Sequence, residues 1–241
     1  MRVPALTNRN TVLWAALLLA VAIVLGGYLL GDGMRRARMA DRAVTVRGLA
    51  ERDVTADLAT WTLNISAQGT ELSQVLAEIE QDTRNVQNFF RSRGFRPQDL
   101  SDAGVSVNQF YDTNQARNTV TVRRRIQLRT NDVMRARTAH GQQFELIRAG
   151  VAIEEGSDIN YSFTRLNDIK PEMIAAATQD ARRGAERFAQ DSGTAVGGIR
   201  SATQGYFSVG ARAGNEAAEG SGNDSPFQKV RVVTTIEFYL D

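Results

Sequence analysis

The hydropathy pattern has one long apolar run near the start and a body of short periodic stretches after it. From Thr11 to Gly31, TVLWAALLLAVAIVLGGYLLG, no residue is charged. At about 1.5 Å per helical residue that run reaches roughly 30 Å, one hydrocarbon core. A charged, small-residue tether over 32–43 follows, and then the period switches to two. Strands are expected at 44–50 and 55–67. In the second, Ala59, Trp61, Leu63 and Ile65 share one face, and Thr60, Thr62, Asn64 and Ser66 share the other. Over 70–94 the apolar residues Leu72, Val75, Leu76, Ile79, Val86 and Phe89 recur at three- and four-residue steps, which predicts a helix stopped by Gly94 and Pro97. A hairpin follows, with strands at 104–111 and 118–130 around the polar turn DTNQAR. In its second strand Val120, Val122, Ile126 and Leu128 share a face that Arg124 interrupts.

A second helix is expected over 131–150, with Asn131 or Asp132 as cap and Gly150 as stop. A strand over 158–166 alternates through Ile159, Tyr161 and Phe163. Pro171 is expected to open a third helix, where its missing N–H costs nothing. That helix runs to Gly193 and is rich in Ala, so its small face would let a sheet approach closely. Strands at 199–209 and 229–240 close the chain. The 210–228 stretch between them is rich in Gly, Ala, Ser and Asn and reads as a flexible loop. The element order is β-β-α-β-β-α-β-α-β-β, an α+β body with an antiparallel sheet and about three packed helices. The last strand has to pair with something earlier, which argues for one cooperative body over 44–241 rather than two separable domains.

The apolar run reads as a transmembrane helix over 11–31, with residues 1–10 as a tail. Trp14 and Tyr28 lie near its ends and are the expected membrane-interface anchors. A cleaved signal peptide is the rival reading. Its apolar core would be about 7–15 residues with a small-x-small site behind it, and Gly31-Asp32-Gly33 is the one weak match. Charge does not settle orientation: Arg2 and Arg9 precede the run, and Arg35, Arg36, Arg38 and Arg42 follow it.

Composition narrows the chemistry. The first 42 residues carry six Arg against two Asp, so the remainder is slightly acidic although the whole chain is +2. An acidic body argues against a nucleic-acid groove, and no nucleic-acid partner is expected. The chain has no cysteine, which excludes disulfides and thiol chemistry. His140 is the one histidine and has no motif around it, so an ordinary helix residue is the expected reading. There is no Gly-x-Ser-x-Gly elbow or Ser-x-x-Lys pattern. Glu154, Glu155 and Asp158 read as a solvated turn rather than a metal loop. No catalytic, cofactor-binding or metal-binding residue is therefore assigned, and no cofactor is expected. The row Arg123-Arg124-Arg125 stands out. Arg123 and Arg125 point one way and are the candidate contacts for an anionic surface or a partner; the same charges would also protect an edge strand. Arg124 lies on the apolar face and should find a carboxylate or reach the rim.

Four stretches carry a resemblance: VTVRGLAERDVTADLATWTLNISAQG, TVRRRIQLRTNDVMRAR, YSFTRLNDIKPEMIAAATQDARRGAERFAQDSG and VGGIRSATQGYFSV. Together they resemble the bacterial SIMPL-domain family, a domain of unknown function that includes periplasmic immunogenic proteins and an oxidative-stress-related group. The resemblance spans about 44–240. It implies an α+β fold and an envelope location, hence a single pass through the inner membrane, lipid contact through 11–31, and the body in the periplasm. It also implies self-association into a homo-oligomer. It carries no enzymatic residues. The expected function is a non-enzymatic, membrane-anchored envelope protein with a structural or envelope-stress role. The alternative is a periplasmic adaptor or chaperone for another envelope protein or ligand.

Overall fold

The computed structural model describes residues 9–40, 42–112, 117–212 and 224–241. The tail before Arg9 and most of the 210–228 loop lie outside the described residues. Helix α1 (Arg9–Ala40) contains the apolar run and continues through most of the stretch read as a tether. The apolar span Leu13–Met34 within it is long enough to cross a membrane, and none of it is buried.

The remaining elements are β1 (Ala43–Thr55), β2 (Leu58–Gly69), α2 (Leu72–Ser92), a 3-10 turn at Pro97–Asp99, β3 (Leu100–Asp112), β4 (Arg117–Thr130), α3 (Val133–His140), α4 (Phe144–Arg148), β5 (Ile159–Ser162), α5 (Leu166–Asp191), β6 (Val196–Ala211) and β7 (Phe227–Leu240). The class is α+β, as the pattern predicts. The single expected sheet is two antiparallel sheets, one of order β1-β7-β6 and one of order β3-β4-β2-β5. The chain groups into two compact units, each assembled from non-contiguous segments.

The first unit comprises Met1–Leu49, Ala175–Gly205 and Val233–Asp241. Its core joins Ala181 and Ala185 of α5 to Ile236 and Phe238 of β7, with Val44, Val46 and Val196 packed alongside. The small face of α5 has the predicted role: Ala177, Ala181, Ala185 and Ala189 recur every fourth residue and are all buried. The helix comes so close to β1 that a Cβ on Gly48 would lie 1.9 Å from the Ala177 carbonyl oxygen and 2.6 Å from the Ala181 nitrogen. Beside it, the Leu49 N–H donates to the Asp180 carboxylate at 3.0 Å. That bond, with help from Arg183, holds the Asp180 pKa below the usual value against a small desolvation effect.

The second unit comprises Ala50–Ile174 and Tyr206–Val232. Strand β2 alternates as predicted, with Ala59, Trp61, Leu63, Ile65 and Ala67 buried. It pairs antiparallel with β4 from Ala59↔Thr130 to Gly69↔Val120. Trp61 is the hub: its ring meets Phe90 edge-on at 5.1 Å and Phe89 at 6.1 Å. It is core, and Val75, Ile79 and Val86 of α2 belong to the same cluster. The predicted 131–150 helix is two short ones. Near Gly141, Gln142 and Gln143 donate to the carbonyls three residues back (Ala139 and His140), a tightening that ends α3 after His140. The Asp132 carboxylate caps α3 by accepting from the Arg135 N–H at 3.1 Å, and Gly94 and Gly150 take the left-handed conformation expected of helix stops.

Pro171 does not open the third helix, because α5 starts at Leu166 and carries Pro171 inside. The start is set from outside the local sequence. The Asp57 carboxylate accepts from the Thr164 N–H at 2.8 Å and the Arg165 N–H at 3.3 Å, and its Oδ2 also receives the Arg165 Nε–H at 3.1 Å. Partial burial works to raise the Asp57 pKa, and these hydrogen bonds outweigh it and hold the group below the usual value.

Candidate functional site

The arginine row lies on β4, which sits between β3 and β2. It is therefore on a central strand, and the edge-protection reading falls. Register puts Arg123 opposite Ser66 and Arg125 opposite Asn64 on the outer face, in a field of Ser, Thr and Asn side chains. Arg123 Nε donates to both Glu154 carboxylate oxygens, at 3.0 and 3.1 Å. Arg125 Nε donates to the Asn64 side-chain oxygen at 3.0 Å. The Asn64 amide in turn donates to the Gly156 carbonyl at 2.9 Å. The acidic turn is thus tied to the sheet: Glu154 pairs with Arg123, while Arg125 is held by Asn64 and meets no carboxylate among the described residues.

Arg124 points to the opposite face, next to Val122 and Ile126. There it forms a very short ion pair with Asp102, the carboxylate that its place on the apolar face demanded. Asp102 reaches it through a bulge. Asp102 pairs with Ile126, the register shifts between Asp102 and Gly104, and Val105 then faces Arg124. Arg124 Nε is enclosed and has no hydrogen-bond acceptor. The pair borders a cavity of about 180 Å³ between α2 and the β3–β4 edge of the sheet. Phe95, Leu100 and Ile126 supply apolar walls; Thr83, Gln87 and Arg91 of α2 close the other side. The residue pattern gave no sign of this cavity, since it needs α2 and the bulged strand together.

His140 is half-buried at the end of α3, its ring 5.0 Å from the Trp61 ring and edge-on to it. Burial lowers its pKa below the ordinary histidine value, and Asp158 offsets part of that. No nucleophile is hydrogen-bonded to it among the described residues, so the geometry is that of a packed core histidine. Among the described residues no three His, Asp or Glu side chains gather as a metal site would require. Trp14 and Tyr28 are both exposed on α1.

The structure is thus an α+β body of two antiparallel sheets preceded by an apolar helix, compatible with a single-pass membrane anchor or a signal sequence. Residues 44–238 match the SIMPL family, described as a protein of unknown function (DUF541). The chain belongs to that family. No curated protein matches it.

Proposed function

We propose that this chain is a non-enzymatic envelope protein of the bacterial inner membrane. It crosses once through 11–31, with residues 1–10 in the cytoplasm and the SIMPL body in the periplasm. Trp14 and Tyr28 anchor the helix at the two interfaces, and Arg123 and Arg125 are the candidate contacts for an anionic surface or a partner. The bodies associate into a homo-oligomer with a structural or envelope-stress role.

The observation that carries this reading is strand β3. It is a sheet edge of 13 residues. From Ala103 to Tyr111 it holds no charge, and Val105, Val107, Phe110 and Tyr111 are each about half exposed. Soluble proteins usually protect such an edge with charge, proline or a cover, because its free backbone groups pair readily with another strand. Strand β6, also an edge, carries Arg200 as its single charge. The test is light scattering on the detergent-extracted full-length protein, together with a Val107→Lys variant. A wild-type oligomer that Val107→Lys breaks into monomers is the expected result; a monomeric wild type refutes the reading. The cavity beside Arg124 favours a second reading, a ligand-binding adaptor.

A further inference from the structure

We propose that the cavity between α2 and the β3–β4 edge is a binding site for a small monocarboxylate with an aromatic or branched apolar body. The inference does not depend on the oligomeric state. Three separate features meet in this cavity. The first is size and lining: about 180 Å³ with walls of Phe95, Leu100 and Ile126. A cavity of about 150 Å³ with such walls is enough to take a benzene ring. The second is charge. Arg124 is matched by Asp102, whereas Arg91, in the last turn of α2, lines the same cavity with no acid partner among the described residues. The site therefore has a surplus of one cation beside an apolar floor, which fits a ligand with one negative charge. The third is an incomplete donor set. A guanidinium has five N–H donors and the Asp102 contact runs through Nη2, so the Arg124 head on the cavity wall keeps donors beyond that pair, while its enclosed Nε faces away from solvent without an acceptor. Buried polar groups without partners are uncommon and costly.

These features select against the alternatives. Inorganic phosphate would leave the Phe95, Leu100 and Ile126 walls uncovered. A neutral aromatic would leave Arg91 unmatched. A carboxylate on a ring satisfies both, with the ring on the apolar walls and the oxygens toward Arg91 and the Arg124 guanidinium.

The test uses the full-length protein in detergent and 4-fluorobenzoate as the probe, followed by fluorine NMR line broadening. Saturable broadening by 4-fluorobenzoate is expected. It should be weaker for 4-fluorobenzamide, and inorganic phosphate should not compete. Arg91→Gln, a change at an exposed helix position, should weaken binding by about tenfold or more, the scale of a lost charge-assisted hydrogen bond. Gln87→Trp, also at an exposed position, should block binding by filling the mouth. Equal binding of the benzamide, no saturation, or unchanged binding in either variant would overturn the proposal. Both variants are expected to keep the wild-type melting temperature, which separates lost binding from lost folding.

Discussion

Gly48→Ala adds a single carbon where the backbone of α5 lies against β1. The new Cβ would stand 1.9 Å from the Ala177 oxygen, 2.6 Å from the Ala181 nitrogen and 2.8 Å from the Ala181 Cβ. Backbone atoms cannot swing aside as a side-chain tip can, so strand and helix must separate by roughly 1 Å or more before the contact is tolerable. A gap of that size forfeits about a quarter to a half of the attraction across it. The contacts at risk join Ala181 and Ala185 to Ile236 and Phe238, all essentially buried. A large apolar side chain contributes about 1.5–3 kcal/mol when buried. Losing up to half of two such contributions, with the strain of an overpacked core, costs about 2–4 kcal/mol. For a chain of this size that lowers the melting temperature by roughly 5–15 °C. The assay is thermal or urea unfolding of the full-length protein in detergent, with Gly184→Ala as the comparison. A Cβ on Gly184 meets only the Val46 Cγ1 methyl, at 3.1 Å, and alanine suits a helix better than glycine by about 1 kcal/mol. Gly184→Ala should therefore be neutral or stabilising. If Gly48→Ala unfolds like wild type, the close approach of α5 to β1 is wrong.

Two further predictions rest on titratable groups. Asp57→Ala removes the acceptor for Thr164 and Arg165 and should cost about 1–3 kcal/mol, as expected when hydrogen bonds to a charged group are lost. Because the folded pKa of Asp57 is lowered, its contribution is full above the unfolded carboxylate range and disappears as pH falls through the folded value. Urea midpoints at pH 7 and pH 3 should therefore differ less in Asp57→Ala than in wild type, and an equal difference refutes the cap. His140 has the same sign for a different cause. Its folded pKa is depressed by burial, so below about pH 6.5 the unfolded chain takes up a proton before the native one does. Stability should fall as pH drops from about 6.5 to 5, and His140→Phe should flatten that fall; an unchanged slope would place the ring in water.

What the sequence could show depended on how far away each residue's partner lies. Strands β2 and β7 were legible because alternation is a local property. In β7 the alternation through Val230, Val232, Ile236, Phe238 and Leu240 predicts the buried face; the first four are buried, joined by Gln228 and Thr234, and Leu240 at the strand end is only partly buried. The far end of β1 was not legible. Residues 51–54 fall between the two expected strands, yet β1 runs on to Thr55. Glu51 is met there by Lys229 at 3.3 Å, and Asp53 by Arg212 at 2.5 Å. The true start of α5 was hidden for the same reason, since its cap at Asp57 is 107 residues distant.

The arginine row shows how this limit applies to the candidate site. Charge alternation alone correctly separates Arg124 from Arg123 and Arg125, because neighbouring residues in a strand face opposite sides. Whether the row protects an edge depends on strand order, which no local pattern contains. With β4 in the centre, its charges do not guard the sheet, and the unguarded edge is β3 beside it. The acid that Arg124 requires comes from that same strand, before the stretch that reads as regular alternation, because the bulge between Asp102 and Gly104 turns Asp102 toward it. The bulge that satisfies the misplaced charge also shapes the cavity rim. The edge downstream of it carries no charge as far as Tyr111. Val107→Lys and Arg91→Gln therefore probe the same strand-and-helix pair separately, the first at its open edge and the second at the mouth of the cavity. Loss of assembly in Val107→Lys with carboxylate binding intact would show that the two surfaces act independently.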